Sequence, residues 1–353
     1  MKLLHFRGRS APSFARAAAI SLVAAGAVVS AALAPTPADA QSRPDSHAPI
    51  GVMGDHLHAG GEIMLSYRYM RMNMEGSRNG TDALSDQDVL NSGYMVTPTA
   101  MPMDMHMVGF MVAPSDRVTL MVMGNYLANS MDHLTGMGGT FTTESSGFGD
   151  TKVSALIGLK SEGVNVHLNA GVSLPTGSID ERDVTPASAP GTAQLPYPMQ
   201  LGSGTFDLEP GITVYDVTDG GAWGLQAKGT FRTGENDRDY TLGARYQATG
   251  WLQYRLLDQL SASIRIEAQR WENVEGADPA LNPNMIYTAD PDLRAGTRID
   301  IPLGFNWYFV DGPLFDHRLA VEINLPIHQD LDGPQLETDW VLTVGWQKAF
   351  HLF

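Results

Sequence analysis

From residue 61 to residue 350 the chain alternates apolar side chains with polar or small ones, in segments of about ten residues rich in β-branched and aromatic types. That period of two marks strands with one apolar face. Twelve such segments occur, near 61 to 70, 101 to 112, 118 to 128, 150 to 160, 164 to 175, 205 to 215, 222 to 232, 240 to 254, 260 to 271, 298 to 309, 318 to 327 and 338 to 350. After residue 40 no apolar run is long enough for a membrane helix, so any crossing must be made by strands. The pattern predicts an all-β fold, a transmembrane antiparallel up-and-down β-barrel of about twelve strands over residues 61 to 353, and an even count leaves both chain ends in the periplasm.

Facing follows from charge, because Arg or Lys on the lipid face costs roughly 2 to 4 kcal/mol at the bilayer midplane. One frame is free of charge: Ile63, Leu65, Tyr67 and Tyr69 in the first segment, Val164, Val166, Leu168, Ala170, Val172 and Leu174 in the fifth, Ile299, Ile301, Leu303, Phe305, Trp307 and Phe309 in the tenth. The other frame is expected to line the pore with Glu62, Arg68, Asp104, Lys152, Asp207, Glu209, Lys228, Arg232, Arg245, Arg265, Glu267, Asp300 and Glu322. A soluble lipocalin-like barrel would turn the apolar frame inward, but it uses eight strands and a shorter chain.

Short links at 113 to 117, 160 to 163, 216 to 221, 256 to 259 and 310 to 317 read as periplasmic turns. The stretches 71 to 100, 129 to 148, 178 to 204, 233 to 239, 272 to 297 and 328 to 337 are longer or more polar, as external loops are. Tyr126, Trp223, Tyr240, Trp307 and Trp340 sit where interfacial girdles are expected. The last strand ends its lipid frame at Phe350, out of phase with the terminal Phe353.

Residues 1 to 40 combine Lys2, Arg7, Arg9 and Arg16 with an apolar run from Ala17 to Leu33 and the small-x-small site Ala38-Asp39-Ala40, the layout of a signal peptide. Residues 41 to 60 then form a periplasmic segment ahead of the first strand. Without the leader, 19 Lys and Arg stand against 38 Asp and Glu, a formal charge of -19, which disfavours nucleic acid as a partner and leaves outer-membrane lipid and a small-molecule solute. The sequence has no cysteine, so disulfides, thiolate nucleophiles and Cys-ligated metals are excluded.

Fifteen of the eighteen methionines fall between residues 53 and 137, interleaved with His56, His58, His106 and His133. Thioethers and imidazoles suit copper, Cu(I) above all. The alternating frame puts Met64, Met70, Met72, Met74, Met121 and Met123 in the lumen with Asp104 and His106, and Met103, Met105 and Met107 toward lipid. The bland alternative is methionine as flexible apolar filler. The segment from Met53 to His58 either collects a metal or covers the barrel mouth. Asp290, Asp292, Asp330 and Asp332 fall in expected external loops and fall short of a calcium loop. His167 and Ser173 share a strand face but are too far apart to work together, and no nucleophile, base and orienting group assemble, so an enzyme is not expected.

Several stretches resemble a known family: Gly54-Asp55-His56, Gly61-Glu62, Ser66-Tyr67-Arg68-Tyr69-Met70, Gly149-Asp150 opening the fourth strand and Ser173-Leu174-Pro175-Thr176-Gly177 closing the fifth. The chain is similar to the outer-membrane transporter family named after the meta-pathway of phenol degradation. The resemblance implies a Gram-negative outer-membrane barrel with a transport role and hydrophobic or aromatic cargo. It carries over no site residue. The expected function is passage of a small solute, with a copper-handling or efflux-linked barrel and a purely structural surface barrel as alternatives.

Overall fold

The computed structural model describes residues 43 to 351 apart from Glu162, so the expected signal peptide lies outside the described residues. The barrel wall is built from β1 (Glu62–Gly80), β2 (Met103–Ser115), β3 (Val118–Thr135), β4 (Thr151–Lys160), β5 (Asn165–Leu174), β6 (Phe206–Thr218), β7 (Gly221–Thr233), β8 (Arg245–Leu257), β9 (Leu260–Trp271), β10 (Gly296–Tyr308) and β11 (His317–His351). Each pairs antiparallel with the next, and β11 closes the sheet on β1. β11 is a hairpin: residues 318 to 331 pair with β10 and residues 331 to 351 with β1, on either side of Gly333 at a φ of +73°. Its arms meet through Gln329 and Thr338, whose N–H donates to the Gln329 side chain at 2.9 Å. The wall therefore has twelve staves, the even number that antiparallel closure requires.

Burial follows the alternation. On β1, Leu65 and Tyr67 are exposed while Glu62, Met64, Ser66 and Arg68 are buried; on β10, Leu303, Phe305 and Trp307 are exposed while Asp300 and Asn306 are buried. No helix among the described residues is long and apolar enough to cross a membrane, and the outward apolar belt falls to the strands.

The staves are longer at the loop end than the alternation predicts. β1 has 19 residues, about 60 Å at roughly 3.3 Å per residue, against an apolar band of about 25 Å. It runs through much of the expected loop 71 to 100, which also holds a helix, Asp86–Asn91, capped by Ser85. Tyr240 is corrected from the girdle to the loops: it pairs with Gly276 in a small separate sheet and is buried against Tyr197.

The family-like punctuation is structural. The Asp150 carboxylate accepts the Gly177 N–H at 2.9 Å and the Ser203 N–H at 2.8 Å, tying the starts of two strands to one loop base. Gly177 is required there, because a Cβ would lie 2.7 Å from the Leu201 carbonyl oxygen.

Candidate functional site: the plugged lumen

The sequence places residues 41 to 60 in the periplasm as a segment ahead of the barrel. The structure corrects this for the described part, which lies inside the barrel: Asp45, Ala48, Ile50, Val52, Asp55, His56 and His58 are all buried. A polar strand-poor segment finds its partners there, because inward side chains from most of the wall bond to its backbone. Ser261 donates to the Pro44 carbonyl at 2.8 Å, Gln253 to His47 at 2.6 Å and Arg318 to Ala48 at 2.5 Å. Gln226 reaches the Met53 carbonyl at 3.1 Å, and the Gly54 carbonyl accepts from His167 Nε2 at 3.0 Å. The His58 N–H donates to Thr119 at 3.0 Å. Every one of these contacts is a hydrogen bond to main chain, so the wall holds a backbone shape. Gly51 sits so close to the Arg265–Glu322 pair that a Cβ would lie 2.2 Å from a Glu322 oxygen.

The wall around this plug has two characters. On β6 to β11 it is ionic. Arg265 bridges Glu267 and Glu322, at 2.7 Å to the latter, with all three side chains buried. Arg232 pairs with Asp207, Lys152 of β4 with Glu209, and Arg298 with Asp300 at 3.0 Å. Four cations thus pair with five acids, Glu267 and Glu322 sharing Arg265. Arg68, Lys228, Arg245 and Arg318, all on the inward frame, have no carboxylate within ion-pair distance among the described residues. The lumen wall is cationic although the chain is acidic. Arg298 and Arg318 were missing from the expected lining, yet they sit in the same frame as Asp300 and Glu322 and were legible on that ground.

On β1 to β3 the wall is thioether. The register pairs Met64 with Met111, Met70 with Met105 and Met72 with Met103, and Met111 in turn with Met121. Paired residues share a face, so Met64, Met70, Met72, Met121 and Met123 point inward together with Met103, Met105 and Met107, which the sequence assigns to lipid. Met74, beyond a register shift, packs under the loops against Met101, Met131 and Met199. Asp104 and His106 are corrected to the outer face. Asp104 bonds Tyr69 at 2.5 Å and Arg71 at 2.9 Å, and His106 Nδ1 meets the Tyr67 hydroxyl at 2.8 Å. Both frames of β2 are apolar enough to face lipid, and its charges lie above the apolar band, beside Tyr126, where they do not mark the inward frame. A soft site that includes His106 therefore does not assemble.

Where the two walls meet, a small cavity is lined by Met64, Met111, Met121, Met123 and Arg68 and closed by Gly54 and Asp55 of the plug. At the loop end, Leu195, Tyr197, Met199, Tyr287 and Ala289 are buried, Ser145 donates to the Met199 carbonyl at 2.7 Å and Ser77 meets the Tyr287 hydroxyl at 3.1 Å. Burial pushes the Tyr287 hydroxyl up to about 12, so it stays neutral. His167, weighed with Ser173 as a catalytic pair, instead serves the plug.

Within the plug, His47, Asp55 and His56 converge, with one potential ligand atom of each inside 4.8 Å of the others. Asp55 accepts the Ala48 N–H at 2.8 Å and lies 3.0 Å from His56 Nδ1. Burial, together with the positive neighbours His56 and Arg318, holds His47 well below the usual imidazole range. Burial also opposes charge on Asp55 and His56, but each stabilises the other's charged form, lowering the acid and raising the imidazole.

An outer-membrane channel of Pseudomonas putida F1 is similar with a TM-score of 0.58 at 14% identity, over 85% of this chain and 99% of the other. The transport unit of the autotransporter AIDA-I from Escherichia coli gives 0.47 at 8% identity, over 87% and 95%. A Pseudomonas aeruginosa FadL homologue gives 0.37 at 11%, over 88% and 94%. No curated protein matches the sequence. Residues 103 to 313 match the family described as "Putative MetA-pathway of phenol degradation", and with more than half its length in that match the chain belongs to this family, with the fold of an outer-membrane β-barrel.

Proposed function

We propose that the barrel is a gated channel for small aromatic solutes, with anionic or phenolic ones preferred. The observation that carries this reading is the split lumen, thioether on one wall and rich in cations without carboxylate partners on the other, with the methionines and Arg68 of β1 together lining the cavity under Gly54 and Asp55. Methionine sulfur favours aromatic rings, guanidinium groups favour ring faces and carboxylates, and an excess of fixed positive charge selects anions at a constriction. Passage requires the plug to move. Its attachment through bonds to backbone carbonyls supports this, because water can replace such bonds at little net cost, about 0.5 to 1.5 kcal/mol each.

The test is planar-bilayer conductance of the wild type and of a variant lacking residues 43 to 58, followed by benzoate and phenol flux into vesicles. The variant should conduct several-fold better than wild type, select anions over cations and pass benzoate. A variant that stays silent makes the barrel a structural one, and a cation-selective variant overturns the assignment of the lining.

A further inference from the structure

We propose that the plug carries a binding site for a divalent d-block cation of the zinc class, formed by His47, Asp55 and His56, and that the bound ion fastens the plug's own loop. The ligand atoms already stand within 4.8 Å of one another in a buried place. The rings of His47 and His56 meet edge to face with centroids 4.7 Å apart. Both are deeply buried, and His47 Nδ1 and His56 Nε2 have no hydrogen-bond partner. Buried imidazole nitrogens are rarely left without a partner, and two imidazoles with a carboxylate are a donor set for Zn2+.

The surroundings are polar and charged as well. His58 stands beside the set, its ring centroid 4.7 Å from that of His56, and its Nδ1 lies 3.3 Å from Glu62. An imidazole backed by a carboxylate is the usual form of a metal-binding histidine, but His58 stands outside the converging set and the site rests on His47, Asp55 and His56 alone. Arg318 is the opposing charge nearby, but its guanidinium is engaged by the Ala48 carbonyl and by Asn306 at 2.6 Å. The carboxylates of Asp55 and Glu62 offset it.

The position gives the ion a role. Its ligands come from both ends of the stretch 47 to 56, and between them lie the carbonyls of Ala48, Met53 and Gly54 that the wall holds. An ion joining the two ends closes this loop into one compact unit. It removes the loop's freedom in the released state and so favours the seated plug. The gating consequence rests on the channel reading above, whereas the binding itself does not.

Untagged, metal-stripped barrel in detergent should bind one Zn2+ per chain by calorimetry and give visible d–d bands with Co2+. Mg2+ should not compete. Zn2+ should slow amide exchange of residues 43 to 60 at least tenfold relative to chelator. The paired change His47→Ala with His56→Ala should weaken Zn2+ at least tenfold, whereas His106→Ala on the outer face should leave it unchanged. Absence of both Zn2+ binding and Co2+ bands in wild type would overturn the site without reliance on any variant. So would a folded paired variant that binds as tightly as wild type, or Zn2+ binding that leaves exchange of the plug unaltered. A barrel that binds Zn2+ and fails to conduct would retain the site and remove the channel reading.

Discussion

The thioether wall of β1 to β3 and the ionic wall of β6 to β11 obey the same alternation and are read from sequence with very different success. On the ionic wall each charge marks its own frame, because Asp207, Glu209, Arg265, Glu267, Asp300 and Glu322 cannot face hydrocarbon. On the thioether wall methionines occupy one frame of β2 and Val108, Phe110 and Val112 the other, and either set could meet lipid. The outward set is the exposed one, with Val108 at 61%. Lipid therefore constrains the outer frame only: it must lack charge within the apolar band, while the inner frame is free to be charged or greasy. The plug meets both walls differently as well. It hydrogen-bonds to Ser261, Gln253, Arg318 and Gln226 of the ionic wall, whereas on β1 to β3 it bonds Thr119 and rests Leu57 on the Met64, Met111 and Leu156 cluster.

The largest expected effect tests the ionic wall. Arg265→Leu leaves Glu267 and Glu322 buried without their common cation, and breaking a buried pair in this way costs about 3 to 5 kcal/mol. Urea unfolding from vesicles should show that loss. The triple change Arg265→Leu, Glu267→Leu and Glu322→Leu should recover most of it, since an apolar replacement of a buried ion pair is often neutral. A single variant as stable as wild type would make the bridge dispensable.

Next comes the outer face. Leu303, exposed between Ile264 and Ile323, should tolerate no charge: Leu303→Arg is expected to cost about 2 to 4 kcal/mol and reduce the folded, heat-modifiable fraction. His106→Arg on the same face should cost only about 0 to 1 kcal/mol, because it lies at the interface. Equal penalties for the two would place His106 within the hydrocarbon rather than above the apolar band.

These contrasts show where sequence sufficed. Strand number, closure and the facing of most staves were legible because lipid on one side imposes a strict period of two. Strand ends were not, since above the membrane both faces of a stave are wet and β1 continues to Gly80 without an apolar frame to mark it. The plug was not legible either. Residues 43 to 60 satisfy their backbone through side chains such as Gln253, Ser261 and Arg318, more than 200 residues away, and no local pattern encodes such partners. His56 and His58 were singled out as metal candidates, but His47 enters only because the chain folds back on itself.

The smallest effect is expected from the thioether wall. Replacing Met64, Met70, Met72, Met121 and Met123 with leucine keeps volume and apolarity, and such swaps usually cost below about 1.5 kcal/mol in a packed interior. The leucine variant should therefore fold, retain plug exchange close to wild type and differ mainly in flux of benzoate and phenol, because leucine lacks the polarisable sulfur that favours rings. Copper provides the sharper comparison. Without His106 these residues offer only thioethers, which do not titrate, so a Cu(I) site among them would raise wild-type stability by mass action and keep doing so at mildly acid pH. We expect no such stabilisation in either protein. Stabilisation of the wild type that the leucine variant loses would instead make this wall a soft-metal lining, and aromatic selectivity would then have to come from the cations of the opposite wall alone.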